Sequence, residues 1–224
     1  MQDKINIVWF KRDLRIFDNV SLAGASEDNK IIPLYIFEPD LWLQPDVSFR
    51  QYSFLNDALH DLDKNLQTLN VRLVIKVGNA VDVLEHLRRT NKVDRLWSHQ
   101  ETWNAWSYSR DIQVKLWAKA NGIEWMEPSR SGVIRGLKNR DGWANNWHNA
   151  MSRQIVLPPE KLDAVYIEND PIPCADSLKL DITQSKSCQA ASRKAALSSL
   201  DSFLNQRGRN YSYEMSSPVT AERA

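Results

Sequence analysis

The chain has 224 residues, 42% hydrophobic and 25% charged, with 29 Lys and Arg against 28 Asp and Glu, for a formal net charge of +1. This is the composition of a globular protein rather than a disordered or collagen-like one, and a charge near neutral gives no overall pull toward nucleic acid, so any such contact needs a local basic patch. No run of 18 or more apolar residues occurs, so no transmembrane helix is expected, and the N-terminus lacks the basic-then-apolar order of a secretory signal.

Ile5 to Phe10 is an apolar run long enough for one buried strand. It breaks at once into Lys11, Arg12, Asp13 and Arg15. Ligands of parallel sheets sit beyond the carboxyl ends of the strands, so this reads as a first strand delivering a charged loop to a site. The loop has no glycine, which excludes a G-x-G-x-x-G turn and a P-loop. A short helix follows from Ser21 to Asp28, started by Asp18 or Asn19 as a cap. Ile31 to Phe37 is a second strand, with Pro33 tolerable at an early or edge position. Phe54, Leu55, Ala58, Leu59, Leu62, Leu66 and Leu69 mark one face of a long helix entered near Ser48. Val71 to Val77 is a third strand. Gly78 and Asn79 turn the chain into a helix with Val81, Leu84 and Leu87 inward. Val93 to Ser98 is the fourth strand, Asn104 to Asn121 a helix stopped by Gly122, and Ile123 to Met126 the fifth strand.

Five strands alternating with helices specify a Rossmann-like, doubly wound parallel sheet with right-handed crossovers, in the order 3-2-1-4-5. In that order the switch point lies between strands 1 and 4, beside Lys11 to Arg15 and His99 to Trp106. Beyond Met126 the pattern changes. Ser129 to Arg153 carries Arg130, Arg135, Lys138, Arg140 and Arg153 interleaved with Trp143 and Trp147, a solvated basic loop or a contact for DNA phosphates. Ile155 to Ser187 is rich in Pro, Asp and Ser and reads as a long linker. Ala190 to Asn205 is an amphipathic helix without a core of its own, so the expected organisation is an α/β domain over 1–130, a linker over 131–189 and the start of a truncated all-α domain over 190–224. Cys174 and Cys188 have no C-x-x-C spacing and are read as reduced cytoplasmic thiols. The four histidines are scattered, so no metal site is expected. Nine tryptophans are the unusual count. Most are read as packing residues, with Trp103 and Trp106, just past a strand end, as candidates for aromatic surface facing a planar ligand.

Val8-Trp9-Phe10-Lys11-Arg12-Asp13-Leu14-Arg15 followed by Asp18-Asn19, then Leu34-Tyr35-Ile36-Phe37-Glu38-Pro39, Ser98-His99-Gln100-Glu101-Thr102, Tyr108-Ser109-Arg110-Asp111, and the closing stretch through Gly208 to Tyr213, Ser217-Pro218 and Glu222-Arg223-Ala224 resemble, in order and spacing, the DNA photolyase and cryptochrome family. The resemblance implies light-driven repair of ultraviolet pyrimidine dimers by electron transfer from FAD, or blue-light sensing in a cryptochrome. It implies an N-terminal α/β domain that holds an antenna pigment (folate, deazaflavin or FMN) and a helical C-terminal domain that holds FAD and receives the lesion flipped out of damaged DNA. The expected partners are ultraviolet-damaged DNA and that missing helical domain, in a monomeric cytoplasmic protein. The fragment alone is expected to be inactive.

Carried over residue by residue, the antenna crevice uses Lys11, Phe37, Glu38, Pro39, Asp40, Leu41, Arg50 and Glu101. Phe37 and Leu41 cover ring faces, Glu38, Asp40 and Glu101 accept from ring N–H groups, and Lys11 and Arg50 meet an anionic tail. Glu101 is alternatively a helix cap. Asp13 with Arg15, and Arg110 with Asp111, are read as structural ion pairs. Tyr211 resembles the first tyrosine of the family's FAD site. The sequence departs from the folate-binding pattern near Trp106 and Ser107, and Trp103 and Trp106 are large enough to fill the crevice. An unrelated adenine-nucleotide-hydrolase module would need a Gly-rich loop after strand 1, which Lys11-Arg12-Asp13 does not provide.

Overall fold

The computed structural model describes residues 4–27, 29–184, 189–217 and 219. Asp28, Cys188, Pro218 and Glu222-Arg223-Ala224, on which parts of the sequence reading fell, lie outside them.

β1 (Ile5–Phe10) is buried at every position because it is the central strand of a sheet covered on both faces, where alternation gives way to a continuous apolar run. It pairs in parallel with β2 (Lys30–Phe37) on one side and with β4 (Val93–Trp97) on the other. β3 (Val74–Val77) joins β2, and β5 (Glu124–Met126) joins β4, both in parallel. The order is β3-β2-β1-β4-β5, as the alternating pattern predicts. Side chains of β1 point alternately to the two faces. Val8 and Phe10 enter a core shared with α1 (Val20–Ser26) and α2 (Phe49–Gln67), through Leu22, Ala25, Leu59, Leu62 and Leu66. Ile5, Ile7 and Trp9 enter the opposite core, shared with α3 (Ala80–Thr90) and α4 (Ala105–Ala120), through Leu84, Leu87, Val114 and Trp117.

Helix starts follow the cap chemistry. The side chains of Asn19, Ser48, Asn79 and Asn104 each accept from a backbone N–H in the first turn of α1 to α4. Gly122, at φ +67°, supplies the left-handed turn after α4. β3 begins later than the apolar run from Val71, because the β2 partner ladder starts only at Leu34 and the amide of Leu73 donates to the Asp63 side chain instead.

Pro33 sits in an interior strand, yet at a place where a proline is tolerated. Two residues earlier, Ile31 exchanges backbone bonds with residues 163 and 165, and the β3 ladder starts one residue later. The missing N–H falls in the gap between the two.

The segment after residue 160 is more than a crossing. Leu162 and Leu178 are 3% and 4% exposed and belong to the α1/α2 core. Asn169 and Asp170 lie along β3, where the Asn169 side chain accepts from the Ile75 amide, the Asp170 amide donates to the Ile75 carbonyl, and the Asp170 carboxylate accepts from the Val77 amide. The open edge of the sheet is thereby covered. The basic stretch contains a helix the sequence reading omitted, α5 (Trp143–Met151). Trp147 lies against Gly132 so closely that a Cβ there would sit 2.5 Å from the indole. α6 (Arg193–Asn205) follows, then α7 (Tyr211–Glu214). No described helix is long and apolar enough to cross a membrane.

Candidate ligand crevice at the switch point

The loops after β1 and β4 meet at the carboxyl end of the sheet, and buried ion chemistry joins them. Asp13 pairs with His99, its Oδ2 2.5 Å from the ring Nδ1, and its Oδ1 accepts from the Lys11 amide. Burial alone would raise the Asp13 carboxyl, but the bond to His99 and the backbone donors outweigh it and hold its pKa below the ordinary value. The expected Asp13–Arg15 pair is therefore not formed. Arg15 instead donates to the carbonyls of Phe17 and Asp18, where the turn needs its acceptors satisfied.

Arg110, on α4 and 6% exposed, is the centre of the site. Its Nη1 donates to Glu38 Oε2 at 2.6 Å and its Nη2 to Glu101 Oε2 at 2.5 Å. Nε and Nη2 reach Asp111 Oδ1 at 3.1 and 3.0 Å. The reading of Arg110 with Asp111 as a local pair is thus one part of a larger arrangement. Asp111 also takes Lys11 Nζ at 3.3 Å and Arg135 Nη2 at 2.9 Å, and Arg135 reaches Glu127 at 3.1 Å. The three cations Lys11, Arg110 and Arg135 face the four carboxylates Glu38, Glu101, Asp111 and Glu127, which leaves one surplus negative charge. Glu38 carries the consequence. Burial drives its pKa up to about 7 against the pull of Arg110, and its second oxygen, Oε1, has no hydrogen-bond partner among the described residues. Burial likewise lowers the pKa of Lys11, with Asp111 opposing. The Lys11 ammonium lies 5.0 Å from the Trp9 ring and 5.5 Å from that of Trp125, inside the protein.

Above this cluster opens a cavity of about 290 Å³. Of the residues singled out in the sequence, Lys11, Glu38, Leu41, Arg50 and Glu101 border it. Phe37 does not: it is 1% exposed and stacks on Trp42 at 5.5 Å, so Trp42 forms the wall and Phe37 supports it from behind. Pro39 and Asp40 open a 3-10 turn over Pro39–Leu43, whose wall contacts are Leu41 and Trp42. Glu101 does not cap α4, since Asn104 does. Tyr211 lies away from the crevice at the start of α7, 48% exposed and edge-on to Phe203. Trp103 borders the cavity without closing it and lies flat under Arg12, whose guanidinium carbon is 3.7 Å from the ring centre. Sequence reasoning missed Arg12, Trp42 and Arg110 as site residues. Arg12 had a signal, being adjacent to Lys11 in a loop already assigned to the site; Arg110 lay in a stretch that carries the resemblance but was read only as a pair with Asp111, and its bonds to Glu38 and Glu101 were not foreseen.

The family model described as DNA photolyase matches residues 6–135. The chain belongs to the DNA photolyase family. Among curated relatives it is 28% identical over 136 residues to a chloroplastic/mitochondrial cryptochrome DASH of Solanum lycopersicum, covering 58% of this chain and 23% of that protein. It is 32% identical over 129 residues to cryptochrome-1 of Aedes aegypti, 54% of this chain and 24% of that one. It is 32% identical over 102 residues to a deoxyribodipyrimidine photo-lyase of Buchnera aphidicola, 43% and 21%. The matched stretches thus span about a quarter of these relatives. Among solved structures, a class III photolyase from Agrobacterium tumefaciens aligns with a TM-score of 0.71 at 22% identity, covering 95% of this chain and 47% of that chain. An archaeal photolyase from Sulfolobus tokodaii, solved with two FAD molecules and described as implying a novel light-harvesting cofactor, aligns at 0.59 with 28% identity over 72% of this chain and 38% of its own. A Synechocystis cryptochrome aligns at 0.74 with 16% identity, covering 96% and 49%, and it and the Agrobacterium enzyme share the fold.

Proposed function

We propose that this chain is the antenna-bearing half of a photolyase, and that the crevice between the β1 and β4 loops holds a light-harvesting pigment for a flavoenzyme that repairs ultraviolet pyrimidine dimers. The observation that carries this is the cavity itself, at the switch point of the sheet, walled by Trp9, Tyr35, Trp42 and Trp103 with Glu38 at its side. Its about 290 Å³ suits a single fused ring system. The unpartnered Glu38 Oε1 is an acceptor for a ring N–H, if small side-chain movements open it to the ligand. The residues we assign to the pigment are Lys11, Glu38, Leu41, Arg50 and Glu101, with Phe37, Pro39 and Asp40 holding the wall. The candidates are a folate, a deazaflavin or FMN; the FAD molecules of the Sulfolobus protein share the isoalloxazine ring of FMN. The pigment supplies absorption and energy transfer when bound; this chain's residues bind it, orient it and keep water from its ring.

In the whole protein FAD sits in a helical domain, with Tyr211 contributing at its edge, and the partner is damaged DNA. We assign the protein to the cytoplasm as a monomer, in which the sheet unit of 1–130 is completed by Leu162, Leu178 and the edge strap of the 131–189 segment before the chain enters 190–224. The relatives named cryptochrome favour a second reading, a blue-light sensor without repair. One experiment separates the two: absorption of the whole protein with its extracted pigments identified, followed by a dimer-repair assay under blue light. Two pigments and repair are expected. Flavin absorbance without repair selects the sensor, and absence of any flavin overturns both.

A further inference from the structure

Two guanidinium groups that border the crevice, those of Arg12 and Arg50, have no ion pair among the described residues. Arg12 comes from the β1 loop and Arg50 from the first turn of α2. Neither makes a hydrogen bond or ion pair among the described residues, and neither does Arg130, which lies near enough to Arg12 for its charge to be felt there. The carboxylates acting on Arg12 are Glu101 and Asp46. Glu101 is already committed to Arg110 at 2.5 Å, and both oxygens of Asp46 accept from the Asn104 amide at 3.0 and 3.1 Å. Neither carboxylate forms an ion pair with Arg12 among the described residues. Lys11, the cation that resemblance pointed to, is spent inside the protein on Asp111.

Arg12 is also held. Its guanidinium carbon rests 3.7 Å from the centre of the Trp103 ring, a contact that restricts the long side chain before an anion arrives. Arg12 remains exposed, and no hydrogen bond from its guanidinium is made among the described residues. The charge of Arg130 felt at the unpaired Arg12 is an electrostatic cost in the free protein. An anion taken by Arg12 offsets that cost and forms charge-assisted, bidentate bonds.

Resting on the pigment reading above, we infer that the crevice selects a pigment whose side chain ends in an anion, a phosphate or a carboxylate chain, and that Arg12, positioned by Trp103 and assisted by Arg50, is the specificity-determining residue. The ring sits against Glu38 and the aromatic walls, and the tail leaves through the mouth toward Arg12.

The test uses matched ligands that share a ring and differ in the tail, FMN against riboflavin and a triglutamyl folate against the monoglutamyl form, with binding to the protein followed by fluorescence. The parent is expected to bind the more anionic member of one pair at least tenfold tighter, and that pair identifies the tail as phosphate or carboxylate. The ratio is expected to fall as salt rises from 50 to 500 mM. Arg12→Ala and Trp103→Leu bring the ratio toward one. Arg12→Lys keeps part of it, because it keeps the charge and loses the fork. Equal affinity within both pairs in the parent, or an Arg12→Ala that weakens both members of a pair alike, overturns the inference while leaving ring binding intact. Failure of every ligand to bind the parent overturns the pigment reading, and this inference with it.

Discussion

Single residues decide the chemistry of this crevice, and Glu38 and Arg110 decide most of it. Glu38 ionises near 7 in the folded chain and near 4.3 when unfolded, because burial penalises its charge more than Arg110 rewards it. The folded state therefore binds the extra proton between those values, so stability attributable to Glu38 is present below about pH 4.3 and is lost as pH rises through 7. Glu38→Gln keeps an acceptor for Arg110 and removes the titration. Urea unfolding should show the variant gaining on the parent by up to about 3 kcal/mol between pH 5 and pH 8; an unchanged gap at the two pH values would refute the assignment. Arg110 is the opposite case. Arg110→Ala leaves Glu38, Glu101 and Asp111 facing one another in a dry site, and breaking a buried pair in this way costs about 3–5 kcal/mol. The exposed Arg72–Asp63 pair, removed as a control by Arg72→Ala, should cost less than about 1 kcal/mol in the same measurement.

At the scale of elements, the apolar runs and caps made most of the α/β portion legible. β1, β2 and the long face of α2 stand where continuous or 3.6-period apolar residues put them. α5 had a helical signal, Trp143, Trp147 and Met151 at i, i+4 and i+8, which the basic, asparagine-rich composition around it masked. The crevice was half legible. Its place follows from strand order, and its local residues, Lys11, Glu38, Leu41 and Arg50, follow from the ends of strands. The Arg110 cluster does not, since Glu38 is 72 positions away in the chain and no periodicity encodes such a contact. The role of residues 163–170 was also hidden, because a strap that borrows the hydrogen bonds of an edge strand has no alternation of its own. That strap yields a prediction. Asp170→Ala deletes acceptors for the Val77 amide and for Lys76 Nζ, both at 2.8 Å. A loss of about 1–2 kcal/mol in urea is expected, with faster aggregation on warming as the β3 edge is bared. A variant as stable and as soluble as the parent would mean that the strap is merely lying on the edge.

At the scale of the molecule, the question is where the self-sufficient unit ends. The apolar pattern stops at Met126, but the core does not. Leu162 and Leu178 fill the α1/α2 face, and each is worth about 1.5–3 kcal/mol of burial. α6, by contrast, has no buried residue, and among the described residues its ties to the rest include Gln189 at the crevice, Ala191 at 8% exposure and Arg193 lying 4.1 Å over Phe17. Two shortened chains separate these contributions. A chain ending at residue 184 keeps both leucines and the edge strap, so its melting temperature should lie within about 4 °C of the parent, a shift of about 1 kcal/mol at this size. A chain ending at residue 160 keeps every strand and helix of the sheet but loses the leucines and the strap, for a deficit of at least about 3 kcal/mol and a fall of at least about 6 °C. Calorimetry on the three chains reads the difference directly. If the 160-residue chain melts with the parent, the covering segment is a linker and the unit closes near residue 130; if the 184-residue chain collapses, α6 is holding the sheet together from outside its core.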